Sequence, residues 1–238
     1  MTQRSISKSN PLSLAAAALI TLWPSLAAAQ NYTVRMKAAD GTISTTYVSP
    51  TAVRNTSAEL GQDIINRLDR GTIIYLDHKN KTYREVTVAE GRKAIANMAA
   101  EGSPTPEEQA NMQRMGMNTP PQVTKLGAGE TIAGYATERY SMKTPMMQME
   151  VWMSPALQLP PAYYKEFNLL AGQSGALGNW GRIAEDMKIQ GTILKRVVTM
   201  KALNKIVLSD VAASVEKGAV PPSTFEPPAG YKKVAAAQ

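Results

Sequence analysis

Thirteen methionines, one histidine and no cysteine are what this chain of 238 residues offers to soft-metal, acid–base or thiol chemistry. Methionine is the unusual member. In PMMQMEVWMSP, Pro145 to Pro155, the residues Met147, Met149, Val151 and Met153 fall at alternate positions, and in a β-strand alternate side chains share a face. Gln148, Glu150 and Ser154 then point the other way. A second group, Met112-x-x-Met115-x-Met117, has the spacing that puts Met112 and Met115 on one face of a helix. Such rows have three uses. The flexible thioether fills irregular gaps in a core, it lines a space that accepts variable apolar shapes, and it is a soft donor for Cu(I). No histidine or cysteine stands near either group, which counts against copper, and Val151 projecting within the row counts for an apolar surface.

Catalytic arrangements find little support. His78 sits in the polar stretch Asp77-His78-Lys79-Asn80-Lys81 between β-rich runs, so it reads as an exposed hairpin-loop residue, not as the base of a triad. GQSGA, Gly172 to Ala176, lacks the closing glycine of a nucleophile elbow and no strand leads into it. GAGETI, Gly127 to Ile132, has Ile132 where a dinucleotide loop needs its third glycine, and it opens a strand instead of a helix. Glu85, Glu138 and Glu150 lie on predicted strands, but no spacing pairs them as acid and base. The expectation is a protein that is not an enzyme and has no cofactor.

The N-terminus has Arg4 and Lys8, an apolar run from Leu12 to Trp23 and small residues at Ala27, Ala28 and Ala29, the order of a secretory signal peptide. Cleavage is expected between Ala29 and Gln30, so that residues 1–29 are a signal peptide and 30–238 one domain, periplasmic or secreted. Removing 29 of the 238 residues leaves 209, enough for one continuous core. No later segment is long and apolar enough to be an integral membrane helix. Without cysteine there is no disulfide framework and no thiolate metal site. Taking Arg4 and Lys8 from the 26 Lys+Arg leaves 24 against 19 Asp+Glu. That modest surplus suits solvated lysines or an anionic membrane surface, and with an export signal it does not indicate nucleic acid.

The elements that must position these residues are mostly strands. YTVRMKA, Tyr32 to Ala38, turns at Asp40-Gly41 into TISTTYVS, then AVRNTS; Thr72–Leu76 and Thr82–Val88 form a hairpin. Ala94, Ile95, Met98 and Ala99 recur at helical spacing, and TPEEQ, with Thr105, Pro106 and Glu108, starts a second helix with a capping box. ETIAGYATERYSMKTPMMQMEVWMSPAL gives two or three strands with Lys143-Thr144-Pro145 as the reversal. The stretch after Pro160-Pro161 gives short helices, and β-branched runs return in KIQGTILKRVVTM, KIVLSDVAASVE and STFEPPAGYKKV. Eight to ten strands that mostly follow one another predict an α+β fold, one antiparallel sheet with helices covering one side.

GTIIYLDHKNKTYREV, ETIAGYATERYSM followed by MEVWMSPAL, KIQGTILKRVV and the ending PPSTFEPPAGYKKV together resemble an exported family, domain of unknown function 4412. The fold of that family is similar to that of the outer-membrane lipoprotein carrier LolA. The resemblance implies a curved, unclosed half-barrel with helices over its mouth and an apolar cavity for acyl chains. Of the carrier's signature positions only Arg54, after YVSPTAV, offers a counterpart to its strand arginine, and no role is carried over to it. The leading expectation is an exported binding protein for a lipid or an acylated protein. Its ligand-binding residues are Met147, Met149, Val151 and Met153 from the strand and Met112 and Met115 from a lid; Met149→Asp is expected to weaken uptake more than it alters the fold. The alternatives are a methionine-based Cu(I) carrier, and a structural module with a filled core whose sheet edge or basic tail, Lys232 and Lys233, meets envelope proteins.

Overall fold

The structure is a computed structural model, described over residues 31–57, 61–101, 105–107, 110–111, 121–164 and 189–235. Six strands lead the chain: β1 (Tyr32–Ala38), β2 (Ile43–Val48), β3 (Ala52–Ser57), β4 (Gln62–Arg67), β5 (Thr72–Asp77) and β6 (Thr82–Thr87). Helix α1 (Val88–Glu101) follows, then β7 (Gln122–Ala128), β8 (Glu138–Lys143), β9 (Met147–Ser154), β10 (Thr192–Met200), the long β11 (Lys205–Lys217) and a two-residue β12 (Lys232–Lys233). All twelve form one sheet in the order β12-β6-β5-β4-β3-β2-β1-β11-β10-β9-β8-β7. The two ends of that order do not pair, so the sheet is unclosed. Every ladder is antiparallel except β12 on β6; sheet neighbours are chain neighbours, as hairpin connections dictate, except at β1 beside β11 and β12 beside β6.

Glycine at positive φ makes the tight reversals: Gly41 (φ 92°) after β1 and Gly71 (φ 61°) before β5, the left-handed region open to a residue without Cβ. The sheet bends about β11. Strands β1 and β10 flank it, yet some of their Cα atoms approach within 8 Å, closer than the roughly 9.6 Å that two strand spacings give in a flat sheet. Irregularities sit on both sides of β11, at Arg35/Met36 in its pairing with β1 and at Val198/Thr199 in its pairing with β10; bulges of this kind bend a strand and increase its twist. At the bend the buried Tyr32 hydroxyl lies 2.6 Å from Thr192 Oγ1, which donates to the Leu157 carbonyl at 2.9 Å. Thr192 has one hydroxyl hydrogen, so Tyr32 must donate to it. Burial raises the Tyr32 pKa well above the ordinary tyrosine value and keeps that proton in place.

Cover arrives on both faces. On one, Tyr32, Val34, Met36, Val48 and Val53 pack with Trp152, Leu157 and Leu194, and the segment after β9 adds Leu159 and Tyr163. On the other, Ala52, Ile65, Ile74 and Leu76 bury Phe225, with Val220 and Tyr231 beside it. The predicted arrangement of helices covering one side is therefore corrected. Among the described residues the one full α-helix is α1; its first residue, Val88, packs on Ile73 near the sheet's end, and the opposite face is closed by an extended C-terminal strap. The helix is entered through a capping box at Thr87 and Glu90, the Glu90 amide donating to Thr87 Oγ1 at 3.1 Å and the Thr87 amide to Glu90 Oε2 at 2.7 Å. The box predicted at Thr105 involves Glu108, which lies outside the described residues, as do the short helices predicted beyond Tyr164.

Three stretches differ from the sequence reading. β4 was not anticipated, because Gln62, Asp63, Asn66 and Arg67 look like loop composition; three of those polar side chains are buried. The strand expected from Glu130 instead precedes it as β7, and residues 129–137 make a small turn closed by the Ile132–Tyr135 bridge. The ending STFEPPAGYKKV is strap, with a short 3-10 turn at Pro222–Phe225, and only Lys232–Lys233 is strand. If Phe225 is the strap's apolar anchor, Phe225→Ala should cost about 3–5 kcal/mol, read as a lower urea midpoint with an unchanged slope.

Candidate functional site

β9 lies between β8 and β10, and its burial explains its composition. Val151, Trp152, Met153 and Ser154 are all buried in succession, so the strand is covered on both faces. One face carries the methionine row: Met149, Val151 and Met153 pack with Tyr140, Met142, Ile189 and Val198, and Met147 borders the cluster. The register sets Met142 and Val198 beside Met149, Tyr140 beside Val151, and Met200 beside Met147. Met149 and Met153 are 5 % exposed and Val151 1 %, whereas Met147 is half-buried and Met146 and Met200 are exposed. Thioethers thus run from a closed interior to the open end of the strands. Met142 belongs to this group and was missed from sequence, although its alternation with Tyr140 in ERYSMK is the available signal. Met112 and Met115 lie outside the described residues.

The opposite face of β9 presents Trp152 to two cations, Lys195 at 4.5 Å and Arg139 at 5.1 Å from its ring centre. Gly129 permits this packing, since a Cβ there would stand 2.6 Å from Trp152 Cδ1 and 2.5 Å from Thr137 Oγ1. Farther along, Tyr163 bonds Asn55 and Tyr164 bonds the Gly191 backbone, and burial raises both phenol pKa values. These contacts lay residues 155–164 over the face that carries Tyr32 and Val53.

A second polar constellation holds the strap. Arg54 Nε donates to Asp63 Oδ2 at 2.9 Å and Nη1 to the Thr224 carbonyl at 2.8 Å. His78 Nε2 is 3.1 Å from the same carboxylate oxygen and Nδ1 2.6 Å from the Tyr231 hydroxyl. His78 lies in the β5–β6 turn, as read from sequence, but it is only partly exposed because a strap residue far along the chain reaches it. The order carboxylate, imidazole, hydroxyl is that of a nucleophilic triad. Here the hydroxyl is a phenol packed beside Phe225 and Arg54 occupies the carboxylate, so the chemistry it supports is attachment. Arg67 adds bonds to Glu226 and to Asp69, the latter at 2.7 Å, and its hydrogen bond holds the Asp69 carboxyl below the usual range. Lys233 of the basic tail pairs with Glu85 at 2.9 Å.

Among the described residues no group of three His, Cys, Asp or Glu side chains could hold a metal ion, and no helix there is long and apolar enough to cross a membrane. A cleft of about 300 Å³ lies at the opposite end of the strand order from the methionine row, lined by Tyr75, Asp77, Tyr83, Arg84 and Val234 among others.

A family model described as "Domain of unknown function (DUF4412)" matches residues 49–231. No curated protein matches the chain. Among solved structures, an uncharacterized conserved protein from Thermus thermophilus is similar at TM-score 0.48 and 7% identity, over 87% of this chain and 91% of that one. PNGF-II is similar at TM-score 0.45 and 12% identity, over 87% of this chain and 31% of that one. MucB in complex with MucA(peri) is similar at TM-score 0.38 and 11% identity, over 87% and 58%.

Asp63 is only 5 % exposed, and removing one partner from a buried ion pair leaves an uncompensated charge. Arg54→Ala should cost about 3 kcal/mol or more in urea unfolding, and Arg54→Ala combined with Asp63→Ala should cost less than the sum of the two single changes.

Proposed function

Because the chain belongs to the family of domain of unknown function DUF4412, which fixes no activity, we propose from the methionine face that it is an exported, non-enzymatic carrier for an apolar ligand. The ligand class is a lipid or the acyl chain of a modified protein, and the role resembles that of a lipoprotein carrier with a LolA-like half-barrel. One observation carries this reading: thioether burial falls along one face, from Met149 and Met142 through half-buried Met147 to exposed Met200 beside it at the sheet's end. Methionine is unbranched and polarizable, so such a face can repack around a chain that slides into it. Each methylene taken from water contributes about 0.8 kcal/mol, so a fatty acyl chain offers ample driving force against the displaced packing. The signal-like N-terminus supports export to the periplasm or beyond.

Met147, Met149, Val151 and Met153 are the strand's contribution, with Met142 and Val198 joining them; Met112 and Met115 are proposed as lid residues from the resemblance alone and lie outside the described residues. Met149 is too deeply packed for the test suggested by sequence alone, because a carboxylate there costs several kcal/mol of desolvation and disrupts the fold itself. Half-buried Met147 is the informative position. The register also sets Met142 beside Met149 and Met200 beside Met147, a thioether grouping that a Cu(I) carrier would use, and leucine substitution separates the two readings.

The purified protein should bind a fluorescent fatty acid, and Met147→Asp should weaken that binding at least tenfold with little change in melting temperature. Met147→Leu with Met149→Leu should leave it intact. Absence of fatty-acid binding by the parent, with Cu(I) binding under anaerobic titration that the leucine pair abolishes, would replace the lipid reading with the copper one.

A further inference from the structure

Two turns stand side by side at one end of the sheet: residues 144–146 between β8 and β9, and 201–204 between β10 and β11. The Lys201 amide donates to the Met146 carbonyl at 2.9 Å, and the Lys201 ammonium bonds the Thr144 carbonyl. Asn204, in the left-handed conformation at φ 46°, closes the second turn through its N–H to the Lys201 carbonyl. This linked tip presents apolar side chains outward. Leu203 is 65 % exposed, Ile206 57 % and Val207 49 %, with Met146 and Met200 exposed beside them. The register shift at Val198/Thr199 leaves Val207 without a β10 partner.

The charge around this tip has one sign. Residues 141–149 and 199–209 contain Lys143, Lys201 and Lys205 and no aspartate or glutamate. The acids that bound the two segments, Glu150 and Asp210, are each held by an arginine of the sheet, Arg139 and Arg196. Lys143 and Lys205 are exposed and have no acidic partner among the described residues. An apolar projection ringed by lysines, with its nearest carboxylates neutralised, matches a surface that is apolar just beneath a layer of negative charge. Leucine, isoleucine and methionine enter the acyl boundary of such a layer while lysine ammoniums stay among the head groups.

We propose that this tip docks the protein on an anionic lipid bilayer, with Leu203, Ile206 and Val207 entering the interface and Lys143, Lys201 and Lys205 pairing with lipid phosphates. The inference stands on the exposed tip alone and does not require the carrier reading. If both hold, the exposed Met146 and Met200 place the docked bilayer at the open end of the methionine row.

Co-sedimentation of the exported protein with vesicles tests this, comparing neutral phosphatidylcholine with a 3:1 mixture of phosphatidylcholine and phosphatidylglycerol at low and high salt. The parent should bind the anionic vesicles, weakly or not at all the neutral ones, and less in high salt. Leu203→Asp with Ile206→Asp should reduce binding at least tenfold, and Lys143→Gln with Lys205→Gln by about fivefold per lysine. Both positions in the first pair are exposed, so unchanged melting temperature and unchanged fatty-acid binding in that variant separate loss of docking from loss of fold or of ligand uptake. Three results would overturn the proposal. They are no binding to anionic vesicles, equal binding by parent and the double-aspartate variant, or a concentration-dependent dimer in sedimentation velocity that the variant abolishes while vesicle binding is absent.

Discussion

The hydrogen bond from Tyr32 to Thr192, passed on to the Leu157 carbonyl, joins the first strand, the tenth strand and the segment that leaves the ninth. All of its members are buried, so no water replaces a lost partner, and an unmade bond there costs more than a made one contributes. It fixes the start of β1 and the start of β10 on either side of the bent β11. That bend gives the sheet its two ends different work. One end, β2 to β6, is closed by the C-terminal strap; the other, β8 to β10, carries methionine inside and an apolar tip outside.

The two ends are held by different physics. At the strap end, Phe225 supplies apolar burial, but the segment around it has only two residues of ladder, on the edge strand β6. Arg54, Arg67 and His78 compensate by reaching strap carbonyls, Glu226 and Tyr231 from strands β3, β4 and the β5–β6 turn. Directed polar bonds specify where the strap lies, while Phe225 provides most of the driving force. At the methionine end Arg139 pairs with Glu150 and Arg196 with Asp210, while Ser141 and Ser154 have buried hydroxyls with no hydrogen-bond partner among the described residues. The methionine row itself is held by packing among flexible side chains, a looser specification than directed bonds give.

The sequence made the hairpins of β1, β2, β5, β6 and β8 to β11 legible because each alternates over a local run and ends at a turn residue. β4 stayed hidden because its core-facing Asp63 and Arg67 are matched by partners on β3 and the strap, partners distant in sequence that no local pattern displays. The same distance hid His78's role, since Tyr231 lies 153 residues away. The shared face of Met147, Met149, Val151 and Met153 was readable from period alone. That Trp152 and Leu157 bury the other side of the strand was not, because opposite-face cover comes from a chain reversal whose path the residues of β9 do not encode.

On the proposed function, the methionine end repacks to hold a hydrocarbon chain. Native mass spectrometry of protein purified without detergent from its native cells tests this most directly. A fraction of molecules should be heavier by the mass of a lipid or acyl chain, released on collisional activation and diminished in Met147→Asp. A single species at the bare chain mass, unchanged after incubation with fatty acid or phospholipid, would contradict it.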